Sequence, residues 1–192
     1  TNKVANEIPR APNQSSDTHQ LLGQTIGNLK LIQLLGLGEV GAVFLAENVD
    51  SKQRSAIKLL REDFQQNPAK IESYFSAAAA IDALDHPSIL PLDTCVIEPS
   101  GRSYVVMEAL NGFLISDAID RCIPIPLDDQ FKIALQVAKA LSSAHEEGLA
   151  HQCLSARNIF LVHLREQNHW ARILDFGISE LVLEPDTREH RK

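Results

Sequence analysis

Three glycines set between two apolar runs constrain the fold of this chain more than any other feature. Gly36-Leu37-Gly38-Glu39-Val40-Gly41-Ala42-Val43 has the spacing G-x-G-x-x-G-x-V. The run Leu29–Leu35 leads into it and Ala42–Ala46 leads out. Short apolar runs on both sides of a glycine turn predict a β-hairpin. A third run, Ser55–Leu60, follows the polar turn Asn48–Arg54, so the spacing predicts an antiparallel meander. Glycine lets a backbone turn sharply and approach a phosphate with no Cβ in the way. A plain hairpin turn accounts for these glycines equally well. They do not open a helix, which counts against the dinucleotide-binding fingerprint.

The rest of the chain moves from strand-like to helix-like patterning. Residues 1–22 are polar, carry Pro9, Pro12, Ser15 and Ser16, and read as a disordered leader. Ile71–Leu84 is helical in composition and stops before His86-Pro87. Ile89–Ile97 and Tyr104–Glu108 read as strands around the turn Pro99-Ser100-Gly101. Ser116–Ile119 starts a short helix, and Leu127–Glu147 is the strongest helix, with Phe131, Ala134, Leu135, Ala138, Leu141 and Ala144 at steps of three and four. Asp128 and Asp129 favour its N-terminus and Gly148 ends it. Ile159–Val162 and Arg172–Leu174 read as two further strands. Strands first and helices second predict an α+β layout in two lobes.

Composition narrows the function classes. Hydrophobic residues make up 44% of the 192 residues, enough for a core. No apolar run approaches the length that spans a membrane as a helix. Lys+Arg 18 against Asp+Glu 25 gives a net charge of -7, unsuited to generic phosphate-backbone binding, so no nucleic-acid partner is expected. Cys95, Cys122 and Cys153 form no C-x-x-C pair, which excludes a disulfide scaffold or zinc ribbon and fits a reducing, cytoplasmic setting. His145 and His151 lack the H-E-x-x-H spacing of a zinc pair, so His151 is expected to pack beneath a loop.

Two more short motifs follow the glycines. Lys58 ends Ser55-Ala56-Ile57-Lys58, seventeen residues after Gly41. Alone it is either an edge-strand surface lysine or a cation for nucleotide phosphates. Asp175-Phe176-Gly177 closes a short apolar run, where an Asp can hold Mg²⁺. In this order and spacing the glycine loop, lysine and D-F-G resemble the protein kinase family, most like bacterial-type Ser/Thr kinases. Leu84–Ile89, Val105-Val106-Met107-Glu108 and Ala144–His151 resemble further stretches of that family, so the likeness runs from Gln24 to Ser179. The resemblance implies a kinase-like fold: an antiparallel β-rich N-lobe with one helix over 23–108, and a partial helical C-lobe over 109–192 that ends in the activation segment. It implies that ATP lies under Gly36, Gly38 and Gly41, with Val43 and Ala56 above the adenine and Phe160 below. Met107 takes the gatekeeper position, and the backbones of Glu108 and Leu110 meet the adenine edge. Lys58 would hold phosphates, and Asn158 and Asp175 would hold Mg²⁺.

The departures from the family pattern are informative. The catalytic loop should read H-R-D-L-x-x-x-N; here it reads His151-Gln152-Cys153-Leu154-Ser155-Ala156-Arg157-Asn158. Cys153 replaces the carboxylate that orients the substrate hydroxyl and takes its proton. A thiol is ordinarily neutral at pH 7 and a poor acceptor. Gln152, Ser155 and Ala156 replace the usual Arg, Lys and Pro. Alignment on His86-Pro87 puts the family's helix Glu at Ala77. Glu72 and Asp82 lie about 140° round the helix from it, and Ser73 shares its face but is neutral. Lys58 is therefore expected to lack its usual partner, with Asp175 taking that role. Fifteen residues follow Gly177, so the A-P-E motif and later helices of the family are expected to be missing, leaving apolar surface on Leu127–Glu147 to be covered by a protein partner or the remainder of a parent chain. The combination predicts a pseudokinase that binds ATP and acts through protein contacts. A residually active Ser/Thr kinase and a nucleotide-independent interaction module are the alternatives.

Overall fold

The computed structural model describes residues 18–38, 40–163 and 169–176. Its first sheet has six antiparallel strands: β1 (Thr25–Ile26), β2 (Leu29–Leu37), β3 (Gly41–Asn48), β4 (Arg54–Leu60), β5 (Thr94–Ile97) and β6 (Ser103–Glu108). They run in the order β1-β2-β3-β4-β6-β5. The meander expected from the three apolar runs is β2, β3 and β4.

β4 shows why its sequence is apolar without alternation. It sits between β3 and β6, and Ala56 through Leu60 are all buried. Successive side chains of a strand point to opposite faces. Ile57 and Leu59 join Leu31, Phe44 and Tyr104 in one core cluster. Ala56 and Leu60 join Tyr74, Ala78, Val105 and Met107 in another, beneath the main helix of this half. Lys58 shares the parity of Ala56 and Leu60, so it is carried to the helix-covered face.

That helix is preceded by the short α1 (Glu62–Gln65) and is α2 (Pro68–Asp82). It starts three residues before the expected Ile71, because Asn67 and Pro68 are a start signal. The Asn67 side chain accepts the Lys70 amide at 3.2 Å and Pro68 opens the first turn. The expected strand Ile89–Ile97 shortens to β5. Pro91 has no amide to give a ladder, and Ile89 instead bridges Ile173 in parallel.

The second sheet has three strands, β7 (Gly112–Leu114), β8 (Ile159–His163) and β9 (His169–Ile173), all antiparallel. Between β7 and β8 come α3 (Ile115–Asp120) and α4 (Leu127–Glu146). The predicted apolar stripe of α4 is corrected by the structure. Ile133, Val137, Ala140 and Ala144 are the buried residues, packed with Leu161, Ala171, Ile173 and Phe176. Phe131 and Leu135 are 67% and 56% exposed. The helix carries two apolar stripes, and the less bulky one faces β9.

The segment before β5 ties the two sheets together. Leu90 donates its amide to the Ile173 carbonyl at 3.0 Å, and Ile173 donates to Ser88 at 2.8 Å. Trp170 Nε1 reaches the Pro87 carbonyl at 2.9 Å, and Arg172 reaches that of Ile89 at 3.2 Å. Of the leader expected over 1–22, residues 1–17 lie outside the described residues. Residues 18–20 form a helical turn and Leu21 packs on the first sheet's core, so an apolar side chain with a place to bury orders the end of that segment. Glu39, Gly177 and the expected activation segment also lie outside the described residues.

Candidate functional site

The glycine turn joins β2 to β3. Gly38 donates its amide to the Gly41 carbonyl at 2.8 Å, and Gly36 pairs with Val43 across the ladder. None of the three glycines has a positive φ. Their reasons differ. A Cβ at Gly41 would stand 2.0 Å from the Leu59 carbonyl oxygen, so the close approach of β4 demands glycine there. A Cβ at Gly36 would meet nothing within 4 Å, and one at Gly38 would sit 3.4 Å from the Gly41 carbonyl oxygen. Packing therefore explains Gly41 and leaves Gly36 unexplained.

Lys58 is 2% exposed, and its ammonium forms an ion pair with Asp175 Oδ1. Asp175 follows β9 at φ 55°, a left-handed conformation that Asp tolerates better than most residues. Among the described residues it is the one carboxylate paired with Lys58. The face of α2 toward this cluster presents Tyr74 and Ala78, both fully buried, and Ala77 is half-buried. Burial first, then the nearby Asp175 carboxylate and Cys95, hold the Tyr74 phenol well above its ordinary pKa, so it stays neutral. Tyr74 was missed by motif reading, although it lies one helical turn from Ala77 and so shares its side of α2.

The loop before β8 is built on His151. Its ring is 2% exposed, Nε2 meets the Leu174 carbonyl at 2.9 Å, and its edge packs on Phe176 with ring centroids 5.0 Å apart. A carbonyl accepts only, so Nε2 carries the proton. His145 is exposed at the end of α4, and His151 is a packing residue as expected. Cys153 is exposed, and its amide donates to the His151 carbonyl at 2.8 Å. Ser155 caps the short 3₁₀ turn Ala156–Asn158: its Oγ accepts the Arg157 amide at 3.3 Å and donates to Asn158 Oδ1 at 2.9 Å. Leu174 donates its amide to the Asn158 carbonyl at 2.8 Å, which sets Asn158 beside the strand that leads to Asp175.

The residues expected round the adenine are brought together in part. Ala56 pairs with Met107 across β4 and β6, Val43 with Lys58 across β3 and β4, and Val43 and Leu110 pack on the same core cluster. Glu108 ends β6 opposite Ser55 and turns its side chain to Arg172 at 3.5 Å. Phe160 is half-buried in β8, with its ring against Gly112. Apolar side chains gathered next to a buried ammonium are the residue types that suit a nucleotide's base and phosphates. Of the two cation-ligand candidates, Asp175 accepts Lys58 through Oδ1 and Asn158 accepts Ser155 through Oδ1, and both keep acceptor capacity with which they could hold Mg²⁺. Among the described residues no group of three or more His, Cys, Asp or Glu is placed to hold a metal ion.

Residues 29–191 match the protein kinase domain. The chain belongs to the protein kinase family. Serine/threonine-protein kinase Pkn1 of Myxococcus xanthus is 32% identical over 84% of this chain and 23% of its own length. Serine/threonine-protein kinase PrkC of Bacillus subtilis is 28% identical over 83% of this chain and 24% of its own length. The kinase domain of PknI from Mycobacterium tuberculosis superposes with a TM-score of 0.66 at 23% identity, covering 81% of this chain and 62% of that one, a likeness of fold. The chain thus spans about a quarter of the length of Pkn1 and PrkC. The α+β kinase-like fold and the bacterial Ser/Thr kinase relationship expected from the motifs are both found. Among the described residues no helix is long and apolar enough to cross a membrane.

Proposed function

We propose that this kinase-family chain binds ATP at its glycine turn and Lys58, transfers phosphate poorly, and acts through contacts with protein. The lobes would divide at Glu108, with 23–108 above the nucleotide and 109–192 below. Cys153 carries the reading, because it stands where the family has its proton-accepting Asp. Losing a general base typically costs about 10²–10⁴-fold in rate. The binding half keeps its parts: Gly36, Gly38, Gly41 and the buried Lys58, beside Val43, Ala56, Met107, Leu110 and Phe160. The exposed row Leu127, Phe131 and Leu135 on α4 supports a protein partner or the remainder of a parent chain as its cover. The three free thiols support a reducing, cytoplasmic setting.

A thermal shift with ATP tests the first half. Ligand at a hundred times its dissociation constant stabilises by about 2.7 kcal/mol. No shift, or the same shift in Lys58→Ala, removes ATP binding from the reading. Radiolabel transfer tests the second half. Robust transfer by the unmodified chain, lost in Asp175→Ala, would make it an active kinase, whereas transfer that appears only in Cys153→Asp locates the defect at the missing base.

A further inference from the structure

Two histidines stand opposite each other at one end of the second sheet. His163 ends β8, His169 begins β9, and the register pairs them directly. His163 donates its amide to the Asn111 carbonyl at 2.9 Å, on the β7 side, so it exchanges no backbone hydrogen bond with His169. In a non-hydrogen-bonded pair the Cα atoms stand about 4.5 Å apart and the side chains approach each other most closely. Both histidines share the parity of Leu161 and Ala171, which puts them on the side of the sheet that packs against α4. Their ring centroids are 5.7 Å apart, with the planes inclined at 51°. Two imidazoles that share a tetrahedral Zn²⁺ at about 2.0–2.1 Å place their centroids roughly 5–6 Å apart. Phe113 closes the third side, 5.4 Å from the His163 ring and 5.6 Å from that of His169, and it offers neither of them a hydrogen bond. His169 Nδ1 is buried with no hydrogen-bond partner. A buried nitrogen is ordinarily partnered by protein, water or an ion.

We propose that His163 and His169 together bind a divalent transition-metal ion of the imidazole-preferring class, such as Zn²⁺, and so clamp β8 to β9. Neutral imidazole is the commonest protein ligand for such ions. Among the described residues no third His, Cys, Asp or Glu joins the pair, so water fills the remaining positions and the ion exchanges, unlike a four-ligand structural zinc. The His163 ring is exposed and lies against that of His169, so the ion enters from its side. The clamp closes the hairpin whose second strand leads to Asp175, and it is independent of nucleotide binding.

The test adds Zn²⁺ to the 192-residue chain and follows its histidine ring signals by NMR, its Tm by thermal shift and its affinity by calorimetry. One equivalent of Zn²⁺ should move the ring signals of two of the seven histidines and raise Tm. The two signals are assigned by their loss in His163→Ala and in His169→Gln, and each of these variants should bind Zn²⁺ at least about tenfold more weakly. His145→Ala, which removes an exposed histidine at the end of α4, should bind as the unmodified chain does. If circular dichroism shows that His169→Gln does not fold, His163→Ala, which removes an exposed ring, decides alone. No Zn²⁺ uptake by the unmodified chain overturns the proposal. So does uptake that a folded His163→Ala retains in full. Uptake that moves no histidine signal and is lost in Cys122→Ser or Cys153→Ser assigns the ion to an exposed thiol, and overturns the proposal as well.

Discussion

Asp175→Asn isolates the ion pair at the centre of the site. Asn tolerates the left-handed conformation at this position as Asp does, so the backbone at φ 55° is preserved and the charge alone is removed. Lys58 is then left buried without its countercharge. Breaking a buried ion pair from one side costs about 3–5 kcal/mol. The Asp175 side chain is 37% exposed, so solvent already screens the pair, and the cost falls to about 2–3 kcal/mol. In a chain of this size each kcal/mol moves Tm by about 2–4 °C, so Tm should fall by about 4–12 °C. Lys58→Met should behave differently. It removes the ammonium and leaves a carboxylate that water can reach, so its effect should stay within about 1 kcal/mol. In the Lys58→Met background, Asp175→Asn should cost less than about 0.5 kcal/mol, which makes the coupling about 2 kcal/mol. Urea unfolding followed by circular dichroism measures all four proteins. Equal costs for Asp175→Asn in both backgrounds would show that the pair does not hold β9 to β4.

Three further outcomes follow from the geometry. Gly41→Ala forces a Cβ to within 2.0 Å of the Leu59 carbonyl oxygen and should destabilise by about 1–3 kcal/mol or more, whereas Gly36→Ala, which meets nothing within 4 Å, should leave Tm nearly unchanged and weaken ATP binding if Gly36 serves the phosphates. His86 has its pKa lowered by burial, and its Nδ1 accepts the Ser88 amide at 3.1 Å. The folded state therefore takes up a proton less readily than the unfolded one, so stability is full above the ordinary value of 6.5 and declines as pH falls below it. Tm measured from pH 7.5 to 5.5 should show that decline, and His86→Asn should flatten it. On α4, Ile133→Ala should cost about 2–5 kcal/mol, while Leu135→Gln should stay within about 0.5 kcal/mol, because one side chain is buried and the other is not.

Much of the fold was legible because local rules and tertiary packing agree. The β2–β3 hairpin, β4 and the extent of α4 follow from apolar runs bounded by glycine and polar turns. The α4 face did not follow, since two apolar stripes compete on that helix and only the position of β9 chooses between them. β1 and β7 are too short to leave a pattern, and the shortening of β5 comes from Pro91 together with a bridge to Ile173, 84 residues later in sequence. At the site, the loss of the helix carboxylate at Ala77 and the turn of Asp175 toward Lys58 were readable from motif alignment. The Ser155–Asn158 hydrogen bond was not, because a serine in that loop shows only that a lysine is missing. Tyr74 was hidden by its ordinary role as a core aromatic. Its closeness to Asp175 is a property of how α2 lies over β4.

The lashing of Ser88, Ile89 and Leu90 to β9 has a mechanical consequence. It ties the C-terminal end of α2, six residues upstream, to the second sheet, so a tilt of α2 would pivot near Ala83. At 1.5 Å per residue Pro68 lies about 22 Å from that pivot and Tyr74 about 14 Å. A swing of about 5° therefore carries the Asn67 end through about 2 Å and Tyr74 through little more than half as much. Whatever pushes on the start of α2 reaches Asp175 geared down, and does not reach Ser88 at all.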